Sequence, residues 1–422
     1  MLIEFSATNV LSFRDKSTLS FAASSDDSLP GNLIDGHTTP WGDRLLKSAV
    51  LYGANASGKT NLLKALAYFR ARLVGEQEPP GVLPFVLDPK TRDQPSEFEI
   101  VVLLGGSTFT YGFSVHEGRV HKEWLLETRK LRRTSTRTCF RRTAKGPEED
   151  SWKYGGAWTG DRVDLEERTR PDGLFLRTAA EWNDPIARRI HDGMRDRLMV
   201  ILDDRADPDA LCATISRMLA EEPYRARLLR LLGSADLGIA DVTGFDGPVD
   251  EGGGVVPANV LAIFEKLGLD GDLRTQRIGA VHRDTQGQGV EFSMETQESA
   301  GTRKLFGLAG HWIDAQDRPC VLAVDELDCH MHPAMTRQLV EAHHAGESGA
   351  QLLFATHDST LLDPSLFRRD QVWLAEKNPE GATDLYSLWD MDVRKDENYQ
   401  RGYLMGRYGA IPILGGMRVG QG

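Results

Sequence analysis

Cysteine is scarce in this sequence: Cys139, Cys212, Cys320 and Cys329 are the four in 422 residues, and no two form a CxxC pair. Such spacing excludes a disulfide framework and a ribbon-type zinc site, and it reads as reduced thiols of a cytoplasmic protein. No apolar run approaches the roughly 20 residues that a bilayer-crossing helix needs, so no membrane association is expected. The opening "MLIEFSATNVLSF" alternates like a strand and carries Glu4, unlike a secretory signal. A basic excess is missing too. Fifty Lys and Arg against 62 Asp and Glu leave a net charge of −12, which excludes a general polyanion binder but permits a local basic face. Internal repeats and low-complexity tracts are also lacking.

What is present is an α/β pattern with an interruption. Residues 1–22 alternate and predict one or two strands. "LLKSAVLYG" reads as a buried strand running directly into "ANASGKTNLLKALAYF", a glycine loop followed by a helix. From Ser96 the alternation in "EFEIVVLLGGSTFTYGFSVHEGRVHKEWLLE" predicts antiparallel strands broken by Gly-Gly and Glu-Gly turns, continuing to about residue 156. From Leu174 to Leu232 the period changes. "DPIARRIHDGMRDRLMVIL" and "DALCATISRMLAEEPYRARLLRLL" predict amphipathic helices, and Gly244 to Gly254 a loop. β-like text returns in "GQGVEFSME", and an α/β pattern follows. The expected division is 1–160, 161–280 as a helical insertion, and 281–422.

Gly53-Ala54-Asn55-Ala56-Ser57-Gly58-Lys59-Thr60 fits GxxxxGK[ST], with an apolar strand before it and a helix after it. Gly53 and Gly58 let backbone amides, with Asn55 and Ser57 between them, curl around phosphate oxygens. Lys59 reaches β- and γ-phosphates, Thr60 places a hydroxyl on Mg2+, and the helix adds its positive end. The expected nucleotide is ATP. A second apolar strand, "CVLAVDELDCHMHP", ends in Asp325, which suits magnesium, and Glu326, which suits activation of the attacking water. A third, "AQLLFATHDSTLL", ends at His357, 32 residues after Asp325. One crossover helix fits that interval and sets the strand parallel beside the acid. His357 is then in reach of the γ-phosphate.

Lys59 and Asp325 lie 266 residues apart, too far for a compact phosphate-loop domain without an insertion, and Ser299-Ala300-Gly301 lies one helix upstream of the acidic strand. The order of phosphate loop, insertion, S-x-G helix, Asp-Glu strand and His strand resembles ABC-type ATPase heads of the SMC/RecF kind. More narrowly, "ESAGTRKL", "VLAVDELDCHMHP", "QLLFATHDSTLLD", "FRRDQVWLAEK" and "LYSLWDMDVRKDENYQRGYLMGRYGAIPIL" resemble RloA/AriA-like bacterial ATP-binding proteins, associated with abortive infection and phage defence. The resemblance covers residues 1–75 and about 280–422, and the middle by order of elements. It implies an ABC-type P-loop head with an antiparallel β subdomain and a helical insertion. It also implies a head-to-tail homodimer in which Ser299 and Gly301 grip ATP held by the other subunit. His330-Met331-His332-Pro333 stands where such heads carry a D-loop aspartate, and no Q-loop glutamine is assigned; Gln94 matches too loosely.

The functional expectation is an ATP-hydrolysing regulator in antiviral defence that controls a separate effector such as a nuclease, because the chain shows no nuclease constellation of its own. The alternative is a RecF-like repair ATPase that binds DNA directly. Its footprint would be Arg129, Lys130, Arg132, Arg133, Arg137, Arg141 and Arg142, for which the charged outer face of a sheet is the commoner explanation. His330 and His332 beside Glu326 lack a third ligand at metal spacing and read as structural or dimer-contact residues.

Overall fold

The computed structural model describes residues 1–36, 39–40, 42–78, 83–130, 134–160, 162–202, 214, 217–218, 220–235, 237–246, 276–294 and 296–412. They fall into two compact units. The first comprises Met1–Leu202, Arg318–Asp328 and Thr336–Gly422, and the second Asp203–Asp317 and Cys329–Met335.

Within the first unit, β1 (Leu2–Thr8) and β2 (Ser17–Ser20) are the strands read from the opening alternation. A small ribbon joins β3 (Leu33–Ile34) to β4 (Leu45–Leu46). All five residues of β5 (Ser48–Tyr52) are buried, as its unbroken apolar text requires for a strand covered on both faces. The alternating region becomes β6 (Ser96–Leu104), β7 (Ser107–His116), β8 (Arg119–Lys130), β9 (Thr134–Ala144) and β10 (Asp150–Tyr154). With β1 and β2 they form one antiparallel sheet in the order β10-β9-β8-β7-β6-β1-β2. Its inner face meets the helix Lys59–Val74: Phe69 stacks on Phe113 at 5.3 Å between centroids and packs edge-on against Phe5 and Tyr111.

"RDRLMVIL" departs from the sequence reading. The helix Pro185–Arg197 stops at Arg197, and Leu198–Ile201 is a strand, β11. It pairs in parallel with Val321–Val324, Leu198 opposite Val321 and Ile201 opposite Val324. The apolar run met an open sheet edge, and tertiary pairing overrode the helical period.

The second unit holds β12 (Ile239–Asp246), β13 (Gln276–Arg283) and β14 (Gly289–Ser293), an antiparallel sheet in that order, together with the helices Glu222–Ser234 and Ala300–Asp317. The expected boundaries at 160 and 280 therefore shift. Residues 162–202 belong with the N-terminal unit because the helix Pro185–Arg197 packs on Lys59–Val74 and β11 joins its sheet. Position 280 falls inside β13, so strands as well as helices make up the insertion. The expected loop from Gly244 begins as the end of β12, and its remainder, like Cys212, Arg132 and Arg133, lies outside the described residues.

Back in the first unit, β15 (Val321–Val324), β16 (Gln351–Ala355), β17 (Val372–Lys377) and β18 (Thr383–Ser387) complete a six-stranded sheet in the order β11-β15-β16-β5-β17-β18. Every pairing is parallel except the edge strand β18. Strand β16 lies between β15 and β5, so three parallel strands end side by side, at Val324, Ala355 and Tyr52. Ligands of open α/β sheets bind beyond such carboxyl ends.

Candidate functional site

The chain leaves β5 through Gly53 (φ 154°), Ala56 (φ 60°) and Gly58 (φ 117°) and enters the helix Lys59–Val74. Two of these positions tolerate no side chain. A Cβ on Gly53 would strike the Ala375 carbonyl and the Ser57 hydroxyl, and one on Gly58 would strike Thr383 and Ser12. No side chain caps the helix, which leaves its first-turn N–H groups available to an anion. Asn55 is exposed on the loop crest and Thr60 half-buried.

Lys59 is buried, and its ammonium folds back onto the carbonyls of Gly53 (2.8 Å) and Ala54 (3.1 Å). Burial lowers its pKa to about 8, against the pull of Asp325, Glu326 and Asp328. Asp325, directly after β15, is buried too. Desolvation pushes its carboxyl above the usual range, while a hydrogen bond with Thr60 opposes the rise. Asp325 Oδ1 and Ser57 Oγ are buried without a hydrogen-bond partner. Buried polar atoms of this kind cost about 1–3 kcal/mol each unless a ligand satisfies them. A cation between Thr60 and Asp325, and a phosphate at Ser57, fit these vacant valences. The donor set suits a hard, oxygen-seeking ion.

Glu326 is exposed in the left-handed region (φ 47°), which turns its side chain out of the strand direction that Asp325 follows. His357, two residues past β16, is exposed. Burial of its surroundings and Lys59 lower its pKa, and Asp328, Glu326 and Asp325 act in the opposite direction. The first unit thus brings Gly53, Asn55, Ser57, Gly58, Lys59, Thr60, Asp325, Glu326 and His357 to the ends of three adjacent strands.

Ser299 and Gly301 belong to the second unit. Exposed Ser299 precedes the helix Ala300–Asp317, and its hydroxyl accepts from the Thr302 N–H at 3.1 Å, an N-cap. Glu298 pairs with His282 at 2.6 Å, and a Cβ on Gly301 would strike the His330 carbonyl. Among the described residues, no group of three or more His, Cys, Asp or Glu side chains clusters as a metal site, and no helix is long and apolar enough to cross a membrane.

Sequence reasoning missed the supports of the glycine loop. Thr383 Oγ1 donates to the Ser57 carbonyl (2.7 Å) and bonds Ser12 Oγ (2.8 Å), and Asn61 Nδ2 donates to the same Ser12 oxygen (2.8 Å). Asp328, three residues beyond Asp325, was also missed; its signal was a second aspartate in the acidic strand end.

A family model described as "AAA domain, putative AbiEii toxin, Type IV TA system" matches residues 48–363, three quarters of the chain. The chain belongs to this AAA family. The matched span encloses both compact units' site residues, from β5 through the His357 loop. Among solved structures, the AAA protein is similar to "SMC head domain from Thermotoga maritima" at 12% identity and a TM-score of 0.41, over 92% of this chain and 98% of that one. It is also similar to an SMC head "bound to the C-winged helix domain of ScpA", at 12% identity and 0.42, over 93% and 99%. No curated protein sequence matches it. The fold is an α/β P-loop ATPase with an antiparallel β subdomain.

Proposed function

We propose that this AAA protein hydrolyses ATP and uses the bound nucleotide to hold two copies head to tail, as a regulator in a bacterial defence system. The observation that carries the reading is the convergence of Lys59, Thr60, Asp325 and His357 at neighbouring strand ends, around buried oxygens that lack partners. The Lys59 ammonium exchanges its two loop carbonyls for β- and γ-phosphate oxygens. Loop amides and the open helix start receive the remaining phosphate charge. Thr60 and Asp325 would hold Mg2+, which neutralises charge on the phosphates. Glu326 accepts the proton of the attacking water, and His357 donates to the γ-phosphate.

Ser299 and Gly301 complete the site of the other copy, with the N-terminus of an 18-residue helix facing its γ-phosphate. Glu326→Gln should bind ATP, hydrolyse it about 10²–10⁴-fold more slowly and accumulate as an ATP-dependent dimer. A monomer by mass in ATP, or an unchanged rate, sinks the site assignment. Ser299→Arg should leave nucleotide binding by one copy within a few fold and abolish that dimer.

The family's description as a putative toxin of a type IV system supports a defence setting, and kinship with RloA/AriA-like proteins is the narrower form of the proposal. The effector is a separate protein, such as a nuclease. Loss of phage protection on Lys59→Ala, together with an effector co-purifying from the native operon, tests this; neither occurring overturns it. Direct DNA binding has less support. Of the basic run, Arg142 is fully buried against Asp150 and Glu123, and Arg129 is exposed but paired with Glu127; Arg137 and Arg141 are exposed as well.

A further inference from the structure

The geometry points to Asp328 as a positioning residue that holds the His357 loop in place, an inference that rests on the ATPase reading above. Asp328 lies within the turn that begins at Asp325, and that turn is tied to the end of β16 at two points. The Leu327 N–H donates to the Ala355 carbonyl at 3.0 Å, and the His357 N–H donates to Asp328 Oδ2 at 3.4 Å. The first bond aligns the turn with the end of β16. The second places a carboxylate under the peptide that carries His357. Asp328 Oδ1 is buried with no hydrogen-bond partner, so the carboxylate is kept half-satisfied at a cost that packing alone does not explain. The following residue is anchored separately: the Asp358 carbonyl accepts from the Tyr52 hydroxyl at 3.0 Å, and Asp358 Oδ1 accepts from the Thr360 N–H at 2.9 Å. Tyr52 is the last residue of β5, so the His357–Asp358 segment is held from both neighbouring strands. Asp328 supplies the grip on the β15 side. His357 reaches substrate, and Asp328 acts through it.

The test uses the full chain and two readouts. Amide hydrogen exchange without nucleotide, read on the peptide containing His357, should quicken at least about tenfold in Asp328→Ala and stay within about threefold of wild type in Asp328→Asn, which keeps an acceptor for the N–H. Asp328→Ser, too short to reach, gives the same reading as alanine if Asp328→Ala does not fold. Steady-state hydrolysis by Asp328→Ala should drop at least about tenfold with ADP affinity within about threefold, and Asp328→Ala should cost nothing further in a His357→Ala background. Unchanged exchange in Asp328→Ala, or losses that multiply in the double variant, overturns the assignment. A wild-type protein that hydrolyses no ATP would fail the ATPase reading instead, and the exchange measurement would still decide the role of Asp328.

Discussion

Thr383 shows how much of the phosphate loop is set by single side chains far away in the sequence. Its hydroxyl braces the Ser57 carbonyl and Ser12 against Gly58, where no Cβ fits. Thr383→Val removes both bonds, leaving the Ser57 carbonyl without this donor and Ser12 Oγ with Asn61 alone. The expected cost is about 1–3 kcal/mol of stability together with at least about tenfold in nucleotide affinity. Urea denaturation and a fluorescent-nucleotide titration check it, and an unchanged affinity would refute the bracing role. The glycines themselves were legible in the sequence, because their spacing between an apolar strand and a helix has a chemical meaning. Ser12 and Thr383 were not, since they meet 371 residues apart and neither sits in a patterned run.

At the scale of elements, the antiparallel sheet is joined to the helix Phe175–Glu181 by a buried polar knot. Glu123 is fully buried, accepts from the Tyr111 hydroxyl (3.0 Å), and caps the helix by accepting from the Phe175 (2.7 Å) and Leu176 (2.9 Å) N–H groups. Arg142 faces it at 3.7 Å, bonds Asp150 at 2.8 Å, and donates to the carbonyls of Gly173 and Arg170. Arg142→Met leaves Glu123 buried without its counter-charge, and the expected loss is about 3–5 kcal/mol by urea denaturation. A loss under about 1 kcal/mol would show the knot to be dispensable. Strand alternation revealed these strands but hid this role, because a basic run reads as an outer face until its partners are seen. The same limit hid β11, whose four apolar residues continue a helical period and become a strand only beside β15.

The whole molecule carries a pH dependence that its net charge does not reveal. His343 and His344 are buried, with His344 on the Ser48 hydroxyl at 2.8 Å and His343 on the Lys47 carbonyl at 2.9 Å. Burial pushes their pKa values down to about 4 and about 3. Because the unfolded chain binds protons at each site near pH 6.5 and the folded chain does not, the stability they contribute is full above pH 6.5. It is lost as the pH falls toward 4, by up to about 2.7 kcal/mol per pH unit for both sites together. Urea midpoints between pH 7.5 and 5 should show this slope, and His344→Gln should flatten it; equal slopes would assign the acid sensitivity elsewhere. The parallel placement of β16 beside β15 followed from motif spacing, whereas the position of β5 next to β16 and the division into units did not, since no composition shift marks where the chain passes between the units.

Those passages are four: at 202/203, 317/318, 328/329 and 335/336. The short stretch Cys329–Met335, which begins just after the acidic strand end, lies in the second unit while both its flanks lie in the first. The insertion is therefore not a cassette. Excising 203–317 alone would strip Gly301 from against the His330 carbonyl and leave seven residues of its folding partner behind in the ATPase body. Removing the whole unit takes two cuts in the sequence, one over 203–317 and one over 329–335.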